Sequence, residues 1–84
     1  MTYSMTLEIL TFGIARDIIG SSVFSIDMTE GASVDDLKRQ ILVLYPRFIA
    51  LSSLMIAVNA EYGNDETLLR EGDEIALIPP VSGG

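Results

Sequence analysis

The sequence contains no cysteine and no histidine. The first absence excludes disulfides, thiolate nucleophiles and thiolate metal sites, and the second excludes imidazole acid–base chemistry and the usual zinc ligand sets. Positive charge is scarce: five Lys and Arg stand against twelve Asp and Glu, a net charge of −7. That balance argues against nucleic acid or an anionic membrane as a partner. No apolar run approaches the roughly 20 residues that span a bilayer. The opening Met1-Thr2-Tyr3-Ser4-Met5 has no basic region and no signal-peptide pattern. A cytoplasmic location is therefore expected, with Met5 as a second candidate start.

What remains suits one small domain. Eighty-four residues, 49% of them hydrophobic, can bury a workable core without staples. The acidic residues are uneven: Glu61, Asp65, Glu66, Glu71, Asp73 and Glu74 fall in one stretch with only Arg70 among them. Either this is a solvated, solubilising surface, or it steers a basic partner.

Periodicity predicts an α+β order. Met5–Phe12 alternates as a strand that Gly13 ends, Ile14–Ile19 forms a short helical turn stopped by Gly20, and Val23–Met28 is a second strand. Gly31 marks a turn. Ser33 is a suitable N-cap, with Asp35 and Asp36 at the positive end of the following helix. Val34, Leu37, Ile41, Leu44 and Phe48 follow helical spacing, and Pro46 should end the helix near Leu44. Residues 47–53 connect to a third strand over Leu54–Val58, and Asn59-Ala60 suits a turn. Tyr62–Leu69 reads as a short strand plus loop, Glu71-Gly72-Asp73 as a turn, and Glu74–Ile78 as the closing strand. The expected architecture is one sheet, over residues 1–78, with a main helix on one face and a C-terminal tail over 79–84.

One helix covers one face. Leu7, Ile9, Phe24, Ile26, Ile56, Val58, Ile75 and Leu77 fit the covered side. Strict alternation then places Leu10, Phe12, Met55, Ala57, Ala76 and Ile78 on the other. A face wetted only by water should be polar. This one is partly apolar, so it is a partner surface, or it is covered by the connector or Tyr3, or the register differs by one residue.

The adjacent carboxylates Asp35/Asp36 and Asp73/Glu74 are explained by a helix start and a turn, and Ser82 has no histidine to activate it. No glycine-rich loop with a phosphate-binding lysine occurs. The end of the chain is different. Pro79-Pro80 cannot continue a ladder and favours extended backbone, and Val81-Ser82-Gly83-Gly84 follows. Terminal Gly-Gly is expected by chance in roughly 1 chain in 200 at about 7% glycine usage. Two residues without side chains thread a narrow channel readily. The six residues from Pro79 to Gly84 reach at most about 20 Å. The α-carboxylate of Gly84 is a poor electrophile, but once adenylated it becomes an acyl donor to sulfur or to a lysine amine. All the chemistry of activation would then be supplied by another enzyme, as with other group carriers.

Ala57-Val58-Asn59, Leu69-Arg70-Glu71-Gly72-Asp73-Glu74-Ile75-Ala76 and Pro79-Pro80-Val81-Ser82-Gly83-Gly84 together resemble the small subunits of molybdopterin synthase (MoaD type), within the ubiquitin-like MoaD/ThiS family. Phe12-Gly13-Ile14-Ala15-Arg16-Asp17-Ile18-Ile19-Gly20 resembles that family's first strand end and short helix. The resemblance implies a β-grasp fold and a sulfur carrier with no bound cofactor or metal. An E1-like enzyme (MoeB type) would adenylate Gly84 with ATP, and a sulfur donor protein would convert it to a thiocarboxylate. The tail, Pro79, Pro80, Val81, Ser82, Gly83 and Gly84, would enter a large subunit (MoaE type) in a heterotetramer. There it would supply sulfur for the dithiolene made from cyclic pyranopterin monophosphate. Phe12, Ile78 and Tyr62 would face that subunit. Other readings compatible with the residues are a carrier for thiamine, cysteine or tRNA thiolation, a modifier joined to lysines, and a binding module whose Gly-Gly is incidental.

Overall fold

A computed structural model describes residues 3–50 and 54–79. Five strands form one mixed sheet in the order β2-β1-β5-β3-β4: β1 Ser4–Thr11, β2 Val23–Thr29, β3 Met55–Val58, β4 Glu61–Tyr62 and β5 Ile75–Ile78. Helices α1 (Gly13–Ile19) and α2 (Val34–Leu44) and a 3-10 helix (Pro46–Ala50) complete the fold. β1 pairs antiparallel with β2 and parallel with β5, and β3 joins β5 antiparallel. This is the β-grasp arrangement: a central parallel pair from opposite ends of the chain, with the main helix crossing one face.

The core follows from the alternation. Leu7, Ile9, Ile26, Ile56, Ile75 and Leu77 are buried on the face under α2, where they meet Val34, Leu37 and Ile41. Each such side chain contributes about 1.5–3 kcal/mol by leaving water. The helical stripe stops earlier than its spacing suggests. Leu44, expected on it, is half exposed at 50%. The reason is local: α2 ends at Leu44, Tyr45 leaves helical geometry (φ −133°, ψ 78°), and the chain turns before Pro46. Phe48 still reaches the core, but from the 3-10 helix, in edge-to-face contact with Tyr45. Thr11, the buried polar residue of β1, is satisfied by donating its hydroxyl to the Ser21 carbonyl.

Two sequence signals have definite structural duties. Ser33 caps α2 by accepting the Asp36 N–H at 3.2 Å, and the Asp36 carboxylate accepts the Ser33 N–H at 2.9 Å. Aspartate thus completes a capping box usually closed by Glu or Gln. Asn59 and Ala60 both have positive φ, 53° and 69°, as the two-residue hairpin between β3 and β4 requires. The Asn59 side chain donates to Asp73 (3.1 Å) and accepts the Glu74 N–H (3.0 Å), and Asp73 also accepts the Arg70 N–H (2.8 Å). Asn59 and the Arg70–Glu74 segment therefore form one latch, holding the hairpin to the turn that launches β5.

The bonds from Ser33 hold the Asp36 carboxyl below its ordinary value of 3.8. Its charge supports the fold above the unfolded value, and that support is lost as pH falls through the lower, folded value. Asp36→Asn should therefore flatten the decline in stability below the ordinary aspartate range, measured by urea unfolding across pH. Ser33→Ala should cost about 1 kcal/mol at neutral pH. Asn59→Ala removes both side-chain bonds of the latch at a left-handed position and should cost about 1–3 kcal/mol in the same assay.

Candidate functional site

The chain's last described residues leave the middle of the sheet. β5 lies between β1 and β3, with Ile9 beside Ile75 and Thr11 beside Leu77. Its final residue, Ile78, pairs with Met55, and half-buried Pro79 follows. Gly13 stands close by, with φ +54° and the position of an added Cβ 3.5 Å from the Pro79 ring. A side chain there would be strained by the backbone conformation, while its Cβ would only touch the Pro79 ring at ordinary contact distance. Pro80, Val81, Ser82, Gly83 and Gly84 lie outside the described residues.

Around this exit the face away from α2 is apolar. The register aligns Val23, Leu10, Ala76, Ala57 and Tyr62 in one row across all five strands. A second, shorter row holds Met55 and Ile78, and Phe12 follows directly on the Thr11–Leu77 pair. Phe12 is 49% exposed, Met55 44% and Tyr62 65%. The remaining part of the same face is polar, with Thr6 opposite Asp27 and Glu8 opposite Ser25. The apolar surface is thus confined to the half of the sheet from which the tail departs.

The expected alternation holds in every strand, so the register is not displaced. Nor is this face covered from within by the segments considered for it. Tyr3 is exposed at 66% and lies beyond the far end of β1, where its carbonyl accepts the Glu30 N–H. The connector packs on the other side, with Phe48 in the core beneath α2; residues 51–53 are outside the described region. The structure brings Phe12, Ile78 and Tyr62 to one face. It adds Val23, whose place beside Leu10 follows from alternation with Ser25 and Asp27. Ile14, in the first turn of α1, is also exposed, at 46%.

The carboxylates have other work. Asp35 pairs with Arg39 at 2.9 Å and Asp36 closes the capping box. In the acidic stretch, Asp65 pairs with Lys38 at 3.0 Å, Glu71 accepts the Thr6 N–H at 2.9 Å, and Asp73 belongs to the latch. Half of that stretch therefore holds the fold together, a use that composition alone did not suggest. Glu61, Glu66 and Glu74 remain as exposed charge. Among the described residues, no group of three or more His, Cys, Asp or Glu could hold a metal ion, and no helix is long and apolar enough to cross a membrane.

Comparison with known proteins gives the family and the fold. The ThiS family matches residues 9–84. A molybdopterin synthase sulfur carrier subunit of Chlamydomonas reinhardtii is 37% identical, over 95% of this chain and 100% of that protein. A Helicobacter pylori chain, solved in the protein–protein complex of subunits 1 and 2 of molybdopterin-converting factor, is 33% identical. The match covers 95% of this chain and 100% of that one, with a TM-score of 0.62. Haloferax volcanii SAMP1 superposes with a TM-score of 0.78 at 26% identity, covering 98% and 100% of the two chains. With the family match running from the middle of β1 to the last residue, the chain belongs to the ThiS/MoaD family.

Proposed function

We propose that this protein is the sulfur carrier subunit of molybdopterin synthase, and that its working group is the Gly84 carboxylate. The observation that carries the reading is the junction of two features at one end of the sheet. The apolar rows surround the point where β5 hands the chain to Pro79. A partner seated on Phe12, Met55, Ile78 and Tyr62 receives the outgoing tail in the same encounter. The subunit complex solved for the Helicobacter pylori relative supports a large subunit as that partner.

In the proposed cycle an E1-like enzyme joins the Gly84 carboxylate to AMP from ATP, releasing pyrophosphate. A sulfur donor protein then supplies the sulfur that displaces AMP, leaving a terminal thiocarboxylate. Inside the large subunit that sulfur attacks the pterin precursor, and hydrolysis of the acyl link returns the carboxylate. A dithiolene needs two sulfurs, so two loaded carriers are consumed per product. The carrier provides binding, reach and an accessible acyl group, and its partners provide catalysis.

The composition suits a chain that carries an activated acyl group. It has no cysteine, and its one lysine, Lys38, is held 3.0 Å from Asp65. Few groups of its own can intercept the activated terminus. The SAMP1 likeness favours, as a second reading, a modifier joined to lysines of other proteins. Stable isopeptide conjugates in cells would identify that use.

Deleting Gly84 should abolish molybdopterin formation and the mass species with sulfur in place of one terminal oxygen, while the unfolding transition stays unchanged. Full activity from the truncated chain would refute the carrier role. Phe12→Asp and Ile78→Asp should each weaken binding of the large subunit at least tenfold by titration calorimetry, because a buried interfacial carboxylate has no partner there. Wild-type affinity in both variants would move the docking surface elsewhere.

A further inference from the structure

The sheet has two edges of unequal length. β4 ends it with Glu61–Tyr62, whereas the other edge, β2, runs for seven residues and pairs on one side only. In an antiparallel pair, alternate residues turn their N–H and C=O toward the neighbour and the others turn away. Two bonds fix the phase: Thr11 N–H donates to the Ser22 carbonyl at 3.0 Å, and Glu30 N–H donates to the Tyr3 carbonyl at 2.8 Å. Phe24, Ile26 and Met28 therefore face β1, and Val23, Ser25, Asp27 and Thr29 present their backbone outward.

Both ends of this outward ladder are closed from within. The Ser21 hydroxyl donates to the Val23 carbonyl (2.7 Å) and accepts the Val23 N–H (3.3 Å). The Thr29 carbonyl accepts the Ala32 N–H at 3.0 Å. Ser25 and Asp27, with the Thr29 N–H, are left as an open template of the kind that accepts an added strand. Beside it lies a groove of about 370 Å³ between β2 and the start of α2, lined in part by Met28, Glu30, Asp36 and Gln40.

Charge selects the occupant. Asp27, Glu30 and Asp36 border the site, while the two cations of α2, Lys38 and Arg39, are already paired with Asp65 and Asp35. A second copy of this chain is disfavoured. Edge-to-edge pairing would bring the Asp27, Glu30 and Asp36 carboxylates of two molecules, each of net charge −7, against one another. We propose that the β2 edge takes an extended segment of a partner protein as a sixth strand. In that segment lysine or arginine alternates with apolar residues, the cations on the Asp27 side and the apolar side chains against Met28 and Ala32 in the groove. This surface is distinct from the apolar rows at the tail exit, so the two can be occupied together.

The test is amide NMR of the full chain titrated with a short synthetic peptide alternating lysine with valine. Shifts and slowed hydrogen exchange should centre on Ser25, Asp27 and Thr29, and the matching glutamate–valine peptide should give none. Asp27→Lys should weaken binding about tenfold. Ser25→Pro removes one outward N–H, leaves the bonds to β1 intact, and should abolish binding in a chain that still folds. Several results would overturn the proposal: no shifts at all, shifts confined to the Leu10–Ile78 face, undiminished binding by a peptide N-methylated at alternate amides, or dimerisation of the chain through β2.

Discussion

The fold depends on the parallel pairing of β1 with β5. It sets Ile9 beside Ile75 at the centre of the sheet and so ties the first and last strands of the chain together. The ordering cost of closing so long a loop is recovered by completely burying Leu7, Ile9, Ile75 and Leu77 under α2. The same pairing determines where the chain can leave. With β1 on one side and β3 on the other, β5 has no lateral freedom, and Pro79 must depart from the middle of the sheet rather than from an edge.

Function follows from that exit. A strand at a sheet edge would deliver the tail beside an open ladder, where it could add to another sheet. A central strand delivers it beyond a row of side chains that crosses all five strands, on a face that is apolar where the tail departs and polar farther away. Under the proposed function, docking and delivery become one event, because the apolar surface offered to the partner lies at the starting point of the tail. The sheet supplies rigidity. Gly13 supplies the left-handed backbone (φ +54°) that turns β1 into α1 beside Pro79.

Much of this was legible from the residues. Alternation sorted both faces correctly in all the long strands, because one face is buried and a slip of one residue would invert it. Ser33, Gly20 and Asn59-Ala60 marked boundaries where only particular backbone geometries fit. Other features depend on distant pairings and left no local trace. The alternating pattern of Met5–Phe12 does not say that its neighbour is residue 75 rather than residue 56. Leu44 keeps the helical period, yet it is exposed because the helix ends there. Asp65, Glu71 and Asp73 look like surface charge until Lys38, the Thr6 amide and Asn59 are seen beside them. The family motif around Arg70–Glu74 likewise has its first explanation in the latch, and only through the latch does it bear on where β5 begins.

In the proposed function, sulfur carried on Gly84 passes to the product formed in a partner's active site. The direct measurement is to load the terminus with isotopically labelled sulfur and add the large subunit and the pterin precursor. The label is then followed by mass spectrometry. Label should leave the chain, appear in the dithiolene at two sulfurs per molecule, and leave Gly84 as an ordinary carboxylate. Label that stays on the chain, or a dithiolene formed without it, would rule out a carrier role for Gly84.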